Sequence, residues 1–277
     1  MNHLSSTPVN LTHFLKHTEA HAILTEGVTD TVTLVSILCD VIGLSKNSLD
    51  SLPQTVLKTF PAQVNTLNTS LPSSVWLAPM EPETRNWLVH CILNTNTVVE
   101  HSGSAPSDTA LVICSPLGQD VSSQVLLHQL PAARTVGIDG FLPLEPLKRL
   151  TLMVNPATNF DRLNSASVLL ASTQKAVSII RDSAGFVVQR VLLTSIAMAC
   201  ELAQQSLLTP QAIDQAILDL NLGYHQGLLE WADTLNPSRV AQTLAALKTT
   251  TGNEAYSPAL WLQRRAQLGQ SLLKSGV

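Results

Sequence analysis

Charge is scarce in this chain of 277 residues: 16 Lys and Arg with 20 Asp and Glu make 13%, about half the roughly 25% of an ordinary soluble domain. Glycine is scarce too, at 12 residues or about 4% against about 7%. The first shortage, beside 45% hydrophobic residues, excludes a disordered chain, which needs high charge and few apolar side chains. The second disfavours any fold built on several phosphate-cradling glycine loops, and no Gly-x-Gly triplet occurs anywhere. With a net charge of −4 and no basic stripe, nucleic acid is not an expected partner.

Metal-binding patterns are missing as well. Cys39, Cys91, Cys114 and Cys200 are dispersed, without a CxxC pair, and the eight histidines include no HExxH. The cysteines read as small buried hydrophobes rather than a disulfide framework or zinc site, and no metal is expected. The opening MNHLSSTPVNLTHFL lacks the basic and long apolar regions of a secretory signal. The longest uncharged stretch, 59–80, contains Pro61, Pro72 and Pro79 among many polar residues, so it does not suit a bilayer. A cytoplasmic protein without a membrane partner is the expectation.

What is present changes character midway. Short apolar runs rich in Val, Ile and Leu recur at 75–78, 110–114, 135–138, 150–154 and 176–180. Each has strand length and is bounded by Pro, Gly, Ser or Asp. Helical segments at 81–93 and 160–174 lie between them, and this alternation predicts an α/β layer with a mainly parallel sheet. The stretch 22–43 can be read as a first strand, turn and helix of the same layer. After Arg181 the pattern turns helical: 185–208 is one long apolar helix, and Thr209-Pro210, Asn236-Pro237 and Ser257-Pro258 mark further helix starts. These four helices form an all-α unit of about 90 residues, apolar enough to call for a subunit interface.

The runs IIRDSAGFVVQRVL (179–192), LTPQAIDQAI (208–217), LGYHQGLLEWAD (222–233) and YSPALWLQRRAQLGQSLLKSG (256–276) together carry a resemblance. They are similar to the C-terminal domain of the 3-hydroxyacyl-CoA dehydrogenases. Gly185, Phe186, Arg190, Ile213, Asp214, Gly223, Gly227, Glu230 and Asp233 stand in register with that family's pattern, and the likeness extends upstream to about residue 74. The resemblance implies a tail at 1–18, a degenerate Rossmann-like, mainly parallel sheet domain at 19–184 and a helical C-terminal domain at 185–277. The fold class is thus α/β plus all-α.

It also implies where the chemistry should be. The family uses a histidine base, a glutamate that orients it, and a serine and an asparagine that hold the substrate oxygen. The matching positions are Asp139, Thr151, Gly118 and Gln189, and none keeps the family residue. An exposed aspartate, with a pKa near 3.9 against about 6.5 for histidine, is a weaker base by roughly 2.6 units. Burial would raise it, but Thr151 brings no charge to a relay. The favoured reading of Asp139 is that it ends a strand or caps a turn beside Gly137 and Gly140. The best candidate for a dinucleotide loop, 25–30, offers Gly27 flanked by Glu26 and Asp30, whose charges repel a pyrophosphate.

Two functions follow from the resemblance. One is a pseudoenzyme, binding no cofactor, that persists through its helical domain as a homodimeric acyl-CoA-binding or partner protein. The alternative is an active, divergent NAD-dependent enzyme of fatty acid metabolism that oxidises a 3-hydroxyacyl-CoA to the 3-oxoacyl-CoA.

Overall fold

The computed structural model describes residues 31–42, 70–101, 103–220 and 224–274. The candidate loop with Glu26, Gly27 and Asp30, the strand and turn expected before residue 31, and Gly223 lie outside the described residues.

Among the described residues the sheet has six strands: β1 (Ser74–Leu77), β2 (Val98–Val99), β3 (Leu111–Cys114), β4 (Thr135–Ile138), β5 (Arg149–Val154) and β6 (Ala176–Arg181). Their spatial order is β2-β1-β3-β4-β5-β6. All neighbours are parallel except β4 and β5, which pair antiparallel. The ten residues between β4 and β5 contain no crossover helix, and a parallel return would need one. The expected mainly parallel sheet is present, and the apolar runs are its strands; only the two-residue β2 had no such run.

Strand alternation sends side chains to two faces. Val75, Leu77, Leu111, Ile113, Val136, Ile138, Leu150 and Leu152 join the core under α2 (Pro82–Leu93) and α4 (Phe160–Ala171), which supply Leu88, Ile92, Ala166, Leu169 and Leu170. The opposite residues, Trp76, Val112, Cys114 and Met153, enter a second core shared with the helical unit. Thus the sheet and the helical unit share the second of these cores.

The helical unit contains α5 (Val187–Gln204), α6 (Pro210–Asp219), α7 (Leu228–Thr234), α8 (Pro237–Thr251) and α9 (Leu260–Gln267). Thr209 accepts from Ala212 N at 3.2 Å and Asn236 from Ser238 N at 3.0 Å, capping α6 and α8 as their Pro-preceded starts suggest. The third expected start is corrected: α9 begins after Ala259, without a side-chain cap. Lys248 Nζ donates to the Ser257 hydroxyl at 3.0 Å, and a 3-10 turn at Glu254–Tyr256 holds the chain ahead of it. By length and composition α5 could cross a membrane, but most of it is buried inside the protein.

Helix α1 (Thr31–Ile42) and the short α3 (Val121–Leu127) complete the described elements. Leu34, Ile37, Leu38 and Ile42 of α1 are buried in the shared core, and Asp40 pairs with Arg149 at 2.7 Å. The helix therefore packs on α5 and on β5 and β6, at the opposite end of the sheet from β1 and β2. In a Rossmann layer the helix that follows the first strand packs beside the phosphate-binding turn at the switch point.

Candidate functional site

Three of the four sequence-selected positions meet at one point. Residues 135, 137 and 139 point toward the helical unit by alternation; Gly137 faces Val121, and Asp139 leaves β4 on the same side. Gln189, fully buried in the first turn of α5, reaches into this corner. Its Nε2 donates to Asp139 Oδ1 at 2.9 Å and to Pro116 O at 3.2 Å, while its Oε1 accepts from Gly118 N at 2.9 Å. One carboxamide thereby joins the loop after β3, the end of β4 and α5.

Asp139 is buried and its Oδ1 also accepts from Phe141 N at 3.2 Å, closing a tight turn. Burial pushes its carboxyl from 3.8 up to about 6. The bonds from Gln189 and Phe141, then the charges of Arg239 and Arg190, act in the other direction and offset only part of that rise. Thr151 sits opposite on β5, where its carbonyl accepts from Asp139 N at 3.1 Å. It meets Asp139 through the backbone ladder and supplies no charge.

Gly118 explains the tightness of this corner. Its φ is +73°, and a Cβ there would lie 2.5 Å from Thr243 O and 3.0 Å from Leu247 N, both backbone atoms of α8. The helix rests directly on the glycine, where the family's serine would stand. Arg239 of α8 adds a second contact, donating to Gly140 O with its guanidinium 5.3 Å from the Phe141 ring. Arg239 carried no signal in the sequence, because only the placement of α8 brings it here.

Beside this corner lies an open pocket of about 450 Å³, lined by Asp120, Ser122, Asp182, Ser183, Thr250 and Thr251. Both carboxylates are engaged: Asp120 caps α3 by accepting from Ser123 N, and Asp182 accepts from Val121 N at 2.8 Å and from the Ser122 hydroxyl at 2.5 Å. No lysine or arginine lines it. Among the described residues no group of three His, Cys, Asp or Glu could hold a metal.

The strand and loop that the resemblance assigns to a dinucleotide lie outside the described residues. Among the described strands β1 has β3 on one side and β2 on the other. The chain after β2 then folds back over the sheet: Trp76 Nε1 donates to Ser104 O at 2.9 Å, and Glu100 accepts from Ser74 Oγ at 2.7 Å and Ser107 N at 2.9 Å.

The retained motif residues do structural work. Asp214 accepts from Leu229 N and Glu230 N, each at 2.9 Å, capping α7 from a neighbouring helix, and a Cβ on Gly227 would collide with its carboxyl at 2.2 Å. Arg190, fully buried, donates to Ser183 Oγ and to the carbonyls of Ala184 and Gly185. Asp233 accepts from Leu272 N at 2.7 Å and Ser271 Oγ at 2.5 Å, tying down the chain beyond α9. Replacement of Asp214 by alanine strips two first-turn amides, one of them buried, of their acceptor and should cost about 2 kcal/mol. Thermal unfolding would read this as a fall of roughly 4 to 8 °C; an unchanged midpoint would contradict the capping role.

Comparison with known proteins fits this geometry. Residues 185–277 match the family described as 3-hydroxyacyl-CoA dehydrogenase, C-terminal domain. A probable 3-hydroxybutyryl-CoA dehydrogenase of Bacillus subtilis (strain 168) is 25% identical over 143 residues, covering 52% of this chain and 50% of the relative. The chain thus spans about half the length of that curated relative. Among solved structures, M. tuberculosis FadB2 superposes with a TM-score of 0.56 at 18% identity, covering 72% of this chain and 66% of its own. The (S)-3-hydroxybutyryl-CoA dehydrogenase of Ralstonia eutropha gives 0.54 at 18% identity, with 71% and 66% covered. These two likenesses speak for the fold. The helical unit at 185–277 thus matches the 3-hydroxyacyl-CoA dehydrogenase C-terminal domain, and the sheet ahead of it shares the fold of those enzymes.

Proposed function

We propose that this chain is a member of the family that has lost the dehydrogenase reaction and works in the cytoplasm as a homodimeric partner protein. The observation that carries this reading is the Gln189 carboxamide, which fills the corner where the reacting groups would meet and occupies both Gly118 N and Asp139 Oδ1. A general base needs hydrogen-bond reach to the proton it removes, and this carboxylate is buried beneath the protein's own side chains. NAD is not part of the reading, because the chain has no Gly-x-Gly triplet and its candidate loop at 25–30 carries Glu26 and Asp30.

One observation favours the active alternative: a carboxyl raised to about 6 lies where a general base works. Burial produces that value, and the same burial bars a substrate. Acyl-CoA binding, the other form of the partner reading, would bring phosphates to a pocket that offers carboxylates and hydroxyls.

The dimer is supported by apolar side chains left on one side of the helical unit. Met198 and Leu202, one turn apart on α5, are 55% and 40% exposed, and Leu207 and Leu208 beyond its end are 68% and 50% exposed. Gln204 Oε1 accepts from Trp261 N at 3.0 Å, bringing exposed Leu260 to the same end. Such a patch calls for a covering partner. In sedimentation analysis at tens of micromolar, the protein should run as a dimer. A variant carrying both Met198→Glu and Leu202→Glu should run as a monomer with unchanged circular dichroism. A monomeric unsubstituted protein would sink the homodimer.

A further inference from the structure

We propose that the open cleft between α3, the end of β6 and α8 is a binding site for an aliphatic polyamine, whose ammonium groups are held at Asp120 and Asp182. The proposal goes beyond the reading of the neighbouring corner and does not depend on it.

Three elements wall the cleft. The start of α3 contributes Asp120 and Ser122, the turn after β6 contributes Asp182 and Ser183, and the last turn of α8 contributes Thr250 and Thr251. Its volume of about 450 Å³ falls within the roughly 300–1,000 Å³ of small-molecule sites.

Negative charge here exceeds what the fold uses. The N-terminus of α3 presents a partial positive charge equivalent to at most roughly +0.5, and Asp120 already caps it through Ser123 N. Asp182, brought from the sheet, adds a second full charge to the same turn. Among the described residues neither carboxylate has a salt-bridge partner. The carbonyl end of α8 adds partial negative charge, and Lys248, the basic residue of that last turn, is committed to Glu254 at 2.8 Å and to Ser257.

The hydrogen-bonding pattern narrows the ligand further. Each hydroxyl in the wall gives its proton to a group that can only accept: Ser122 to the Asp182 carboxylate, Ser183 to Gly185 O, Thr250 to Ala246 O and Thr251 to Leu247 O. No lining side chain therefore keeps a donor for a ligand, and what faces the cleft is lone pairs. An ammonium group is the complement, with three donors, no acceptor and a full positive charge. A polyol brings acceptors that these side chains cannot satisfy, and a phosphate brings acceptors and repulsion. A bare metal ion is not matched either, since no group of three His, Cys, Asp or Glu stands among the described residues. Several ammonium groups on one flexible chain fit two carboxylates and a helix end together.

Calorimetric titration of the full chain with spermidine, at pH 7.5 and about 0.15 M salt to screen diffuse attraction, tests the site. Saturable one-to-one binding with a dissociation constant below about 1 mM is expected, while sorbitol and Mg²⁺ should give no saturable heat. Asp120→Asn keeps the cap on Ser123 N, and Asp182→Asn keeps an acceptor for Val121 N. Each removes one charge and should weaken spermidine binding about tenfold or more, with unchanged circular dichroism. No saturable heat with spermidine would overturn the site. So would binding undiminished in both variants, which would mark a general attraction to a chain of net charge −4, or saturable Mg²⁺ binding that the same substitutions abolish.

Discussion

Purified protein mixed with acetoacetyl-CoA and NADH should leave the nicotinamide absorbance falling no faster than buffer alone. The expected deficit against an active relative is large. A positioned acid or base contributes about 10²–10⁴-fold, and each donor that holds the substrate oxygen about 10²–10³-fold. In this chain the base position holds a buried aspartate bonded to Gln189 and Phe141, and the serine position is Gly118 beneath α8. Together these two losses amount to about 10⁴–10⁷-fold. The single replacement Asp139→His should not restore the reaction, because Gly118 and Gln189 would still close the corner. Turnover above buffer in the unsubstituted protein would contradict the proposed function.

Restoring the family's serine at residue 118 should damage the protein rather than repair it. Gly118→Ser would put a Cβ 2.5 Å from Thr243 O and 2.9 Å from the Ala246 Cβ, on a residue whose φ of +73° favours glycine. Left-handed backbone costs a side-chain-bearing residue about 1–2 kcal/mol, and overpacking adds about 1–3 kcal/mol. The sum of about 2–5 kcal/mol corresponds to a fall of roughly 5–15 °C in Tm for a chain of this size. A second consequence is local: α8 should lose exchange protection before the sheet does, since it is the element being pushed away. A Gly118→Ser protein as stable as the original would mean that α8 does not rest on the loop, and the closed corner would have to be abandoned.

Much of this architecture was legible in the sequence because it depends on local pattern. The central strands β3 and β4 are apolar on both faces, so LVIC and TVGI stand out as unbroken runs. Helices α6 and α8 announce themselves through Thr209-Pro210 and Asn236-Pro237, whose side chains make the expected caps. Elements whose cause lies elsewhere in the chain were silent. The two-residue β2 exists because β1 offers it an edge, and α7 is capped by Asp214 from another helix. At α9 the local signal misled, since Lys248 claims the hydroxyl of Ser257.

The candidate site divides along the same line. Resemblance located Gly118, Asp139, Thr151 and Gln189, and the strand register explains why three of them converge. What it could not supply was the approach of α8, which decides that Gly118 has no room and brings Arg239 onto Gly140. Nor does a sequence reveal that the extra methylene of glutamine lets one amide span from Gly118 N to Asp139 Oδ1. The scarcity of glycine and charge also takes on a location. Gly118, Gly185 and Gly227 serve close packing of helices, and Asp182, Asp214 and Asp233 serve as caps and ties.

A calorimetric titration of the full chain, with NADH and with acetoacetyl-CoA in separate runs, tests the closed corner most directly, because binding can outlast catalysis. With no Gly-x-Gly loop in the chain and Gln189 seated between Gly118 and Asp139, neither ligand should give a saturable heat up to millimolar concentration. One-to-one binding of NADH at micromolar affinity would contradict the account.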